Sequence, residues 1–220
     1  MAIILKNSRL NLTIDSNTII GVMGSSYDKV LSSLEGNDVF YLDKKSYVSK
    51  NKVYSLFDLS NDKLINDLEK FELDKSFLSK RINELSHSEQ KLLKYVLLIT
   101  SKKKIIVIDE PFMDLDYYYK KKIILLINKL IKENKTVIIG SVNSNIIYKL
   151  CKKVLFISED DYYYSDTSVF KKTKILEKYH IIMPDLVSFV TLAKNKKIKL
   201  GYSNDIRDLI KDVYRNVSKK

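Results

Sequence analysis

The sequence predicts an α/β fold, a mostly parallel sheet flanked by helices, with a small N-terminal β lobe before it and a C-terminal helical extension after it. Three observations predict it. Ile105–Ile108, Thr136–Ser141 and Lys153–Ser158 are short runs with apolar interiors, the pattern of strands buried on both faces. Amphipathic stretches separate them, and strands alternating with helices give a parallel sheet joined by crossovers. Beyond Phe170 the strand-like runs stop, and two amphipathic segments follow.

Taken in order, Ile3–Leu5 and Leu10–Ile14 read as a hairpin and Thr18–Met23 as a buried strand. Tyr27–Leu34 is helical, with Val30, Leu31 and Leu34 on one face. Val39–Leu42 and Tyr47–Ser49 are short strands, and Leu56–Leu78 reads as a polar helix carrying Leu64, Leu68 and Phe71 at helical spacing. Ser86, with Glu89 three residues on, is a capping box that opens a long helix through Ile99. Asp116–Ile131 and Ser144–Cys151 are helical. Tyr117–Tyr119 and Tyr162–Tyr164 read as surface and strand residues, and Lys171–Lys174 as a lysine-rich stretch. Pro184–Asn195 and Ser203–Val217 are the closing helices. This divides the chain into residues 1–170, with a helical subdomain about 52–100, and an extension over 171–220.

The chain has 220 residues, 45% of them hydrophobic and 30% charged, ordinary values for a globular protein able to bury a core of its own. One cysteine, Cys151, excludes a disulfide framework and a multi-cysteine metal site. The opening Met1–Lys6 lacks the layout of a signal peptide, and no apolar run reaches the length of a membrane span. A cytoplasmic protein is expected. Net charge is +12, yet only Arg9, Arg81, Arg207 and Arg215 are arginines, and arginine is the residue of bidentate phosphate and base recognition. With abundant Ile, Asn and Tyr and only Ala2 and Ala193 as alanines, the charge reads as a lysine-coated solvated surface shaped by AT-rich coding. Nucleic acid is not the expected partner.

The chemistry lies in an ordered set of motifs. A strand runs into Gly21-Val22-Met23-Gly24-Ser25-Ser26-Tyr27-Asp28, and a helix leaves it. Leu85-Ser86-His87-Ser88-Glu89 follows, then Ile105–Ile108 entering Asp109-Glu110-Pro111, with Asp114 and Asp116 behind. A carboxylate pair at the C-terminal end of a buried parallel strand stands where such folds bind ligands. There one acid can hold a Mg²⁺-bound water and the other can polarise a water attacking a phosphate.

The order and context of these motifs resemble the ATPase subunits of ATP-binding cassette (ABC) transporters, over nearly the whole chain. The stretch from Phe71 to Asp116 and the tail from Met183 to Val213 are most similar to the energy-coupling factor branch, which serves cobalt and vitamin uptake. The resemblance implies a P-loop NTPase-like fold, ATP and Mg²⁺ as cofactors, Asp109 on the metal side and Glu110 as the catalytic carboxylate. It implies nucleotide contacts from Gly21, Gly24, Ser25, Ser26, Tyr27, Asp28 and Asp116. Leu85, Ser86, His87, Ser88 and Glu89 would form a signature directed at a partner's site. The implied partners are a sister ATPase subunit, in a homo- or heterodimer, and a transmembrane subunit. The implied place is the inner face of the cell membrane.

The phosphate loop departs from the family pattern. A working loop reads G-x-x-x-x-G-K-[ST], with backbone N–H groups cradling phosphates, Lys on the β/γ oxygens and a hydroxyl on Mg²⁺. Here Ser26 stands at the next glycine, Tyr27 at the lysine and Asp28 at the Ser/Thr. Lys29 comes two residues late, about 200° round a helix, and faces away. His87 and Ser88 replace the signature glycines, Val142 stands where a switch histidine belongs, and Lys50 loosely matches the loop glutamine. The stretch from Leu34 to Leu85 is short for the family. His180 reads as structural. Three readings follow: a degenerate cassette subunit completing a competent sister's site, an active ATPase with an unorthodox loop using Lys29 or Lys50, and a nucleic-acid-associated or scaffold protein of this fold.

Overall fold

The computed structural model describes residues 2–6, 11–34, 38–45, 47, 49–57, 63–159 and 161–217. In chain order the strands are β1 (Ala2–Lys6), β2 (Asn11–Asp15), β3 (Ile19–Gly24), β4 (Val39–Leu42), β5 (Ile105–Asp109), β6 (Thr136–Gly140), β7 (Lys153–Ile157) and β8 (Tyr162–Asp166). The α-helices are α1 (Tyr27–Ser32), α2 (Leu64–Glu69), α3 (His87–Thr100), α4 (Tyr117–Lys132), α5 (Ser144–Leu150), α6 (Thr173–Lys178), α7 (Asp185–Asn195) and α8 (Ile206–Val217). β1 and β2 form a separate antiparallel ribbon, and the other strands are ordered β4-β5-β6-β3-β7-β8. The chain divides into two compact units, Met1–Ser33 with Ile138–Lys220, and Leu34–Val137.

In the first unit β3 pairs parallel with β7, from Ile20↔Lys153 to Gly24↔Ile157, and β8 returns antiparallel along β7. β3 is buried along its length to Met23, as its apolar run requires. Gly21 is where α5 presses on β3: a Cβ there would lie 2.3 Å from Ile147 Cγ2 and 3.2 Å from the Cys151 sulfur. Cys151 is buried, and that burial pushes its thiol pKa well up. Phe156 of β7 meets Phe170 edge-on and Tyr179 at a tilt, and Tyr148 is edge-on to Phe170. α7 and α8 share their own core of Val190, Ala193, Leu200 and Leu209.

In the second unit β4 pairs parallel with β5, from Val39↔Ile105 to Leu42↔Ile108. α3 starts at Ser86, whose Oγ accepts the Glu89 amide at 3.3 Å while the Glu89 carboxylate accepts the Ser86 N–H at 2.9 Å. The expected capping box is therefore present. The expected helix over Leu56–Leu78 is not continuous. Leu64, Leu68 and Phe71 are buried as a helical stripe would bury them, but the chain makes a 3-10 turn at Val53–Leu56, the six-residue α2, and a second 3-10 turn at Lys75–Ser79 capped by Asp74.

The stop after α2 has a definite form. Glu72 adopts a left-handed φ of +59°. Its N–H bonds Glu69 O at 2.9 Å, and Leu73 N–H bonds Leu68 O at 3.1 Å, the paired bonds of a Schellman motif. Asn134, His180 and Lys197 close α4, α6 and α7 the same way, with φ of +61°, +54° and +63°. Tyr47 and Ser49 are not in a strand, and Val48 lies outside the described residues. Lys171–Lys174 runs from a 3-10 turn into α6, a helix not foreseen. No helix among the described residues is long and apolar enough to cross a membrane.

Candidate functional site

The acidic end of β5 is built inside the unit Leu34–Val137. Ile106, Val107 and Ile108 are fully buried, so the strand delivers Asp109 at its buried end with 2% exposure. The chain then turns: Glu110 takes a left-handed φ of +48°, and Asp114 one of +63°. α3 clamps this turn from the side. Lys91 donates through Nζ to the carbonyl oxygens of Asp109 at 3.1 Å and Glu110 at 2.8 Å, and the Tyr95 hydroxyl donates to Pro111 O at 2.7 Å. Burial, then repulsion from Lys94, lowers the Lys91 pKa to about 8.

The parallel register of β4 on β5 sets Leu42 opposite Ile108, so the next residues of each strand emerge together. The Lys44 ammonium lies 3.8 Å from Asp109 Oδ2. Lys94, buried on α3, holds this same segment by donating to the Asp43 carboxylate, to Asp43 O at 3.1 Å and to Lys45 O. Lys44, Lys91 and Lys94 were missed in the sequence. The only available signal was a pair of lysines, Lys91 and Lys94, inside a helix stretch otherwise rich in Leu, Tyr and Val.

Asp116 caps α4, its Oδ1 accepting the Tyr119 N–H at 2.9 Å. In the signature segment Leu85 is buried, whereas Ser86 and His87 are exposed. Ser86 Oγ and Ser88 Oγ lie 3.2 Å apart. Glu89 pairs with Lys80 at 2.8 Å, and that hydrogen bond, ahead of those from Ser86, lowers its pKa. Lys50 is exposed and outside any regular element.

The phosphate-loop residues sit in the other unit. Gly24 has φ of +116°, and a Cβ on it would meet Ile157 O at 1.9 Å, so glycine is obligatory where β3 ends against β7. Ser25 is exposed, while Ser26 and Tyr27 are buried. The Tyr27 ring is packed into the core: a Cβ at Gly140 would stand 2.9 Å from its Cε2 and 2.1 Å from Leu31 Cδ1. Asp28 and Lys29 are exposed, and Asp28 Oδ1 accepts the Lys29 N–H at 2.9 Å. Val142 is 75% exposed, and Asn143 caps α5 by accepting the Asn145 N–H at 3.0 Å.

Within each unit the residues differ from the donors that hold a Mg²⁺–triphosphate. The lysine position holds a buried ring, and the hydroxyl position holds a carboxylate in the first turn of a six-residue helix, where it cancels the positive helix end a phosphate would use. Asp109 already faces an ammonium. Among the described residues no group of three or more His, Cys, Asp or Glu gathers as a metal cluster.

No family profile matches the chain. It is 27% identical over 227 residues to the "Probable ABC transporter ATP-binding protein p29" of Mesomycoplasma hyorhinis, covering 80% of this chain and 89% of that protein. It is 27% identical over 154 residues to the energy-coupling factor transporter ATP-binding protein EcfA2 of Mesomycoplasma hyopneumoniae, covering 67% of this chain and half of that one. Among solved structures, a dimeric ATP-binding cassette in a post-hydrolysis state, bound to ADP and Pi, superimposes with a TM-score of 0.60 at 16% identity, over 72% of this chain and 89% of that one. The chain therefore has the fold of the ATP-binding cassettes, and its sequence is similar to those of proteins described as ATP-binding proteins of ABC and energy-coupling factor transporters.

Proposed function

We propose that this chain is a degenerate ATP-binding cassette subunit of a membrane transporter of the energy-coupling factor type, paired with a competent sister ATPase at the cytoplasmic face of the membrane. The observation that carries the reading is Tyr27. At the position where the family pattern has lysine, the side chain is buried against Gly140 and Leu31. No ammonium reaches toward a bound phosphate from that position. Asp28 beside it adds negative charge where a triphosphate would lie, which repels once water is excluded. The signature segment keeps Leu85 and Ser86 of the family pattern, Ser86 exposed, at the start of its helix. In a head-to-tail pair that segment would complete the partner's site. Residues 171–220, with their own small core, would be an appended helical domain.

A second reading, an active ATPase with an unorthodox loop, has one specific observation in its favour. Glu110 is held in a left-handed backbone conformation by a turn that α3 clamps, and retained strain of this kind concentrates at functional sites.

Equilibrium binding of ATP, with and without Mg²⁺, separates the two. The natural chain is expected not to bind, and a Tyr27→Lys/Asp28→Ser double variant is expected to gain binding. Tight Mg²⁺-dependent binding by the natural chain would overturn the degenerate reading and lead to Glu110→Gln turnover measurements. If neither form binds, the nucleotide site is lost beyond its loop and the scaffold reading takes its place.

A further inference from the structure

At the end of β5, a carboxylate that the resemblance assigns to Mg²⁺ faces a cation that belongs to the chain itself. Asp109 is 3% exposed in its side chain, and Lys44 Nζ lies 3.8 Å from its Oδ2. Lys44 is not there by the chance of a mobile surface chain. The pairing of Leu42 with Ile108 fixes the emergence of its segment beside Asp109, and buried Lys94 ties Asp43 and Lys45, the residues on either side of it, to α3. A second ammonium, Lys91, fills the cup of carbonyls behind the carboxylate.

We propose that Lys44 is a built-in cation that occupies the metal side of Asp109, so that this half of the site is closed to Mg²⁺ whatever becomes of nucleotide binding. The inference rests on reading Asp109 as the family's metal-side acid. It predicts more than a missing activity: it predicts that one substitution opens the site to metal. Lys44→Gln takes one ammonium away from a buried carboxylate, and a less compensated carboxylate draws a divalent ion more strongly.

The test needs no nucleotide, and its failure is therefore distinct from a failure of the degenerate-subunit reading. Mn²⁺ is titrated into the natural full chain, Lys44→Gln, and Lys44→Gln/Asp109→Asn, following the free-ion paramagnetic resonance signal and the thermal midpoint. The expected result is Mn²⁺ affinity higher by about tenfold or more in Lys44→Gln, a raised midpoint for that variant alone, and loss of both in the double variant. Lys44 is 39% exposed in its side chain, so its replacement by Gln is expected to fold. The resonance readout at low temperature stands even where the midpoint falls. Two results overturn the proposal: a natural chain that binds Mn²⁺ through Asp109 with Lys44 in place, or a Lys44→Gln variant with no gain.

Discussion

A Cβ on Gly24 would stand 1.9 Å from the Ile157 carbonyl oxygen, on a residue whose φ is +116°. Backbone opposes it and the conformation disfavours any side chain, so neither neighbour nor torsion can give way. Gly24→Ala is expected to cost more than about 3 kcal/mol, read as a large drop in the urea midpoint. Gly140 is constrained differently, because the atoms a Cβ would meet belong to the side chains of Leu31 and Tyr27. Side chains can move, and overpacking of this kind costs about 1–3 kcal/mol. Shrinking the ring in Tyr27→Leu should therefore recover part of the loss in Gly140→Ala. A double-mutant cycle that returns strict additivity would refute this account of where the Tyr27 ring lies.

Helix endings show how the elements are specified. The sequence has only five glycines, and α2, α4, α6 and α7 stop at left-handed Glu72, Asn134, His180 and Lys197 instead. Left-handed backbone costs a β-carbon-bearing residue about 1 kcal/mol, so His180→Gly and Lys197→Gly, both at exposed positions, are each expected to stabilise by about 0.5–1 kcal/mol in chemical denaturation. A loss of stability at either position would mean the side chain contributes more than its torsion costs. The same endings explain what the sequence left unread. Leu64, Leu68 and Phe71 repeat at helical spacing, and nothing in the letters of Glu72 announces a stop. α3 was legible because its capping box is local chemistry. β3, β5, β6 and β7 were legible because strands buried on both faces have apolar interiors. In the site, the altered loop could be read letter by letter at Ser26, Tyr27 and Asp28. The Lys44–Asp109 pair could not, since it exists only through the register of β4 on β5.

For the whole molecule the dominant electrostatic fact is a net charge of +12. Many of the ion pairs lie between exposed partners, such as Lys129–Glu133 and Lys211–Asp208, and such pairs contribute little. Excess like charge disfavours the compact state through self-repulsion. Raising salt shortens the screening length from about 30 Å at 0.01 M to about 8 Å at 0.15 M, so the thermal midpoint is expected to rise over that range and then level off. A midpoint that falls instead would show that local pairs outweigh the global repulsion. The single cysteine adds a practical consequence. Cys151 lies buried where α5 meets β3, with its thiolate strongly disfavoured, so an alkylating reagent can label it only when that packing opens. The rate of labelling is a built-in clock for the opening of the phosphate-loop unit, and it can be read in every variant without attaching a dye.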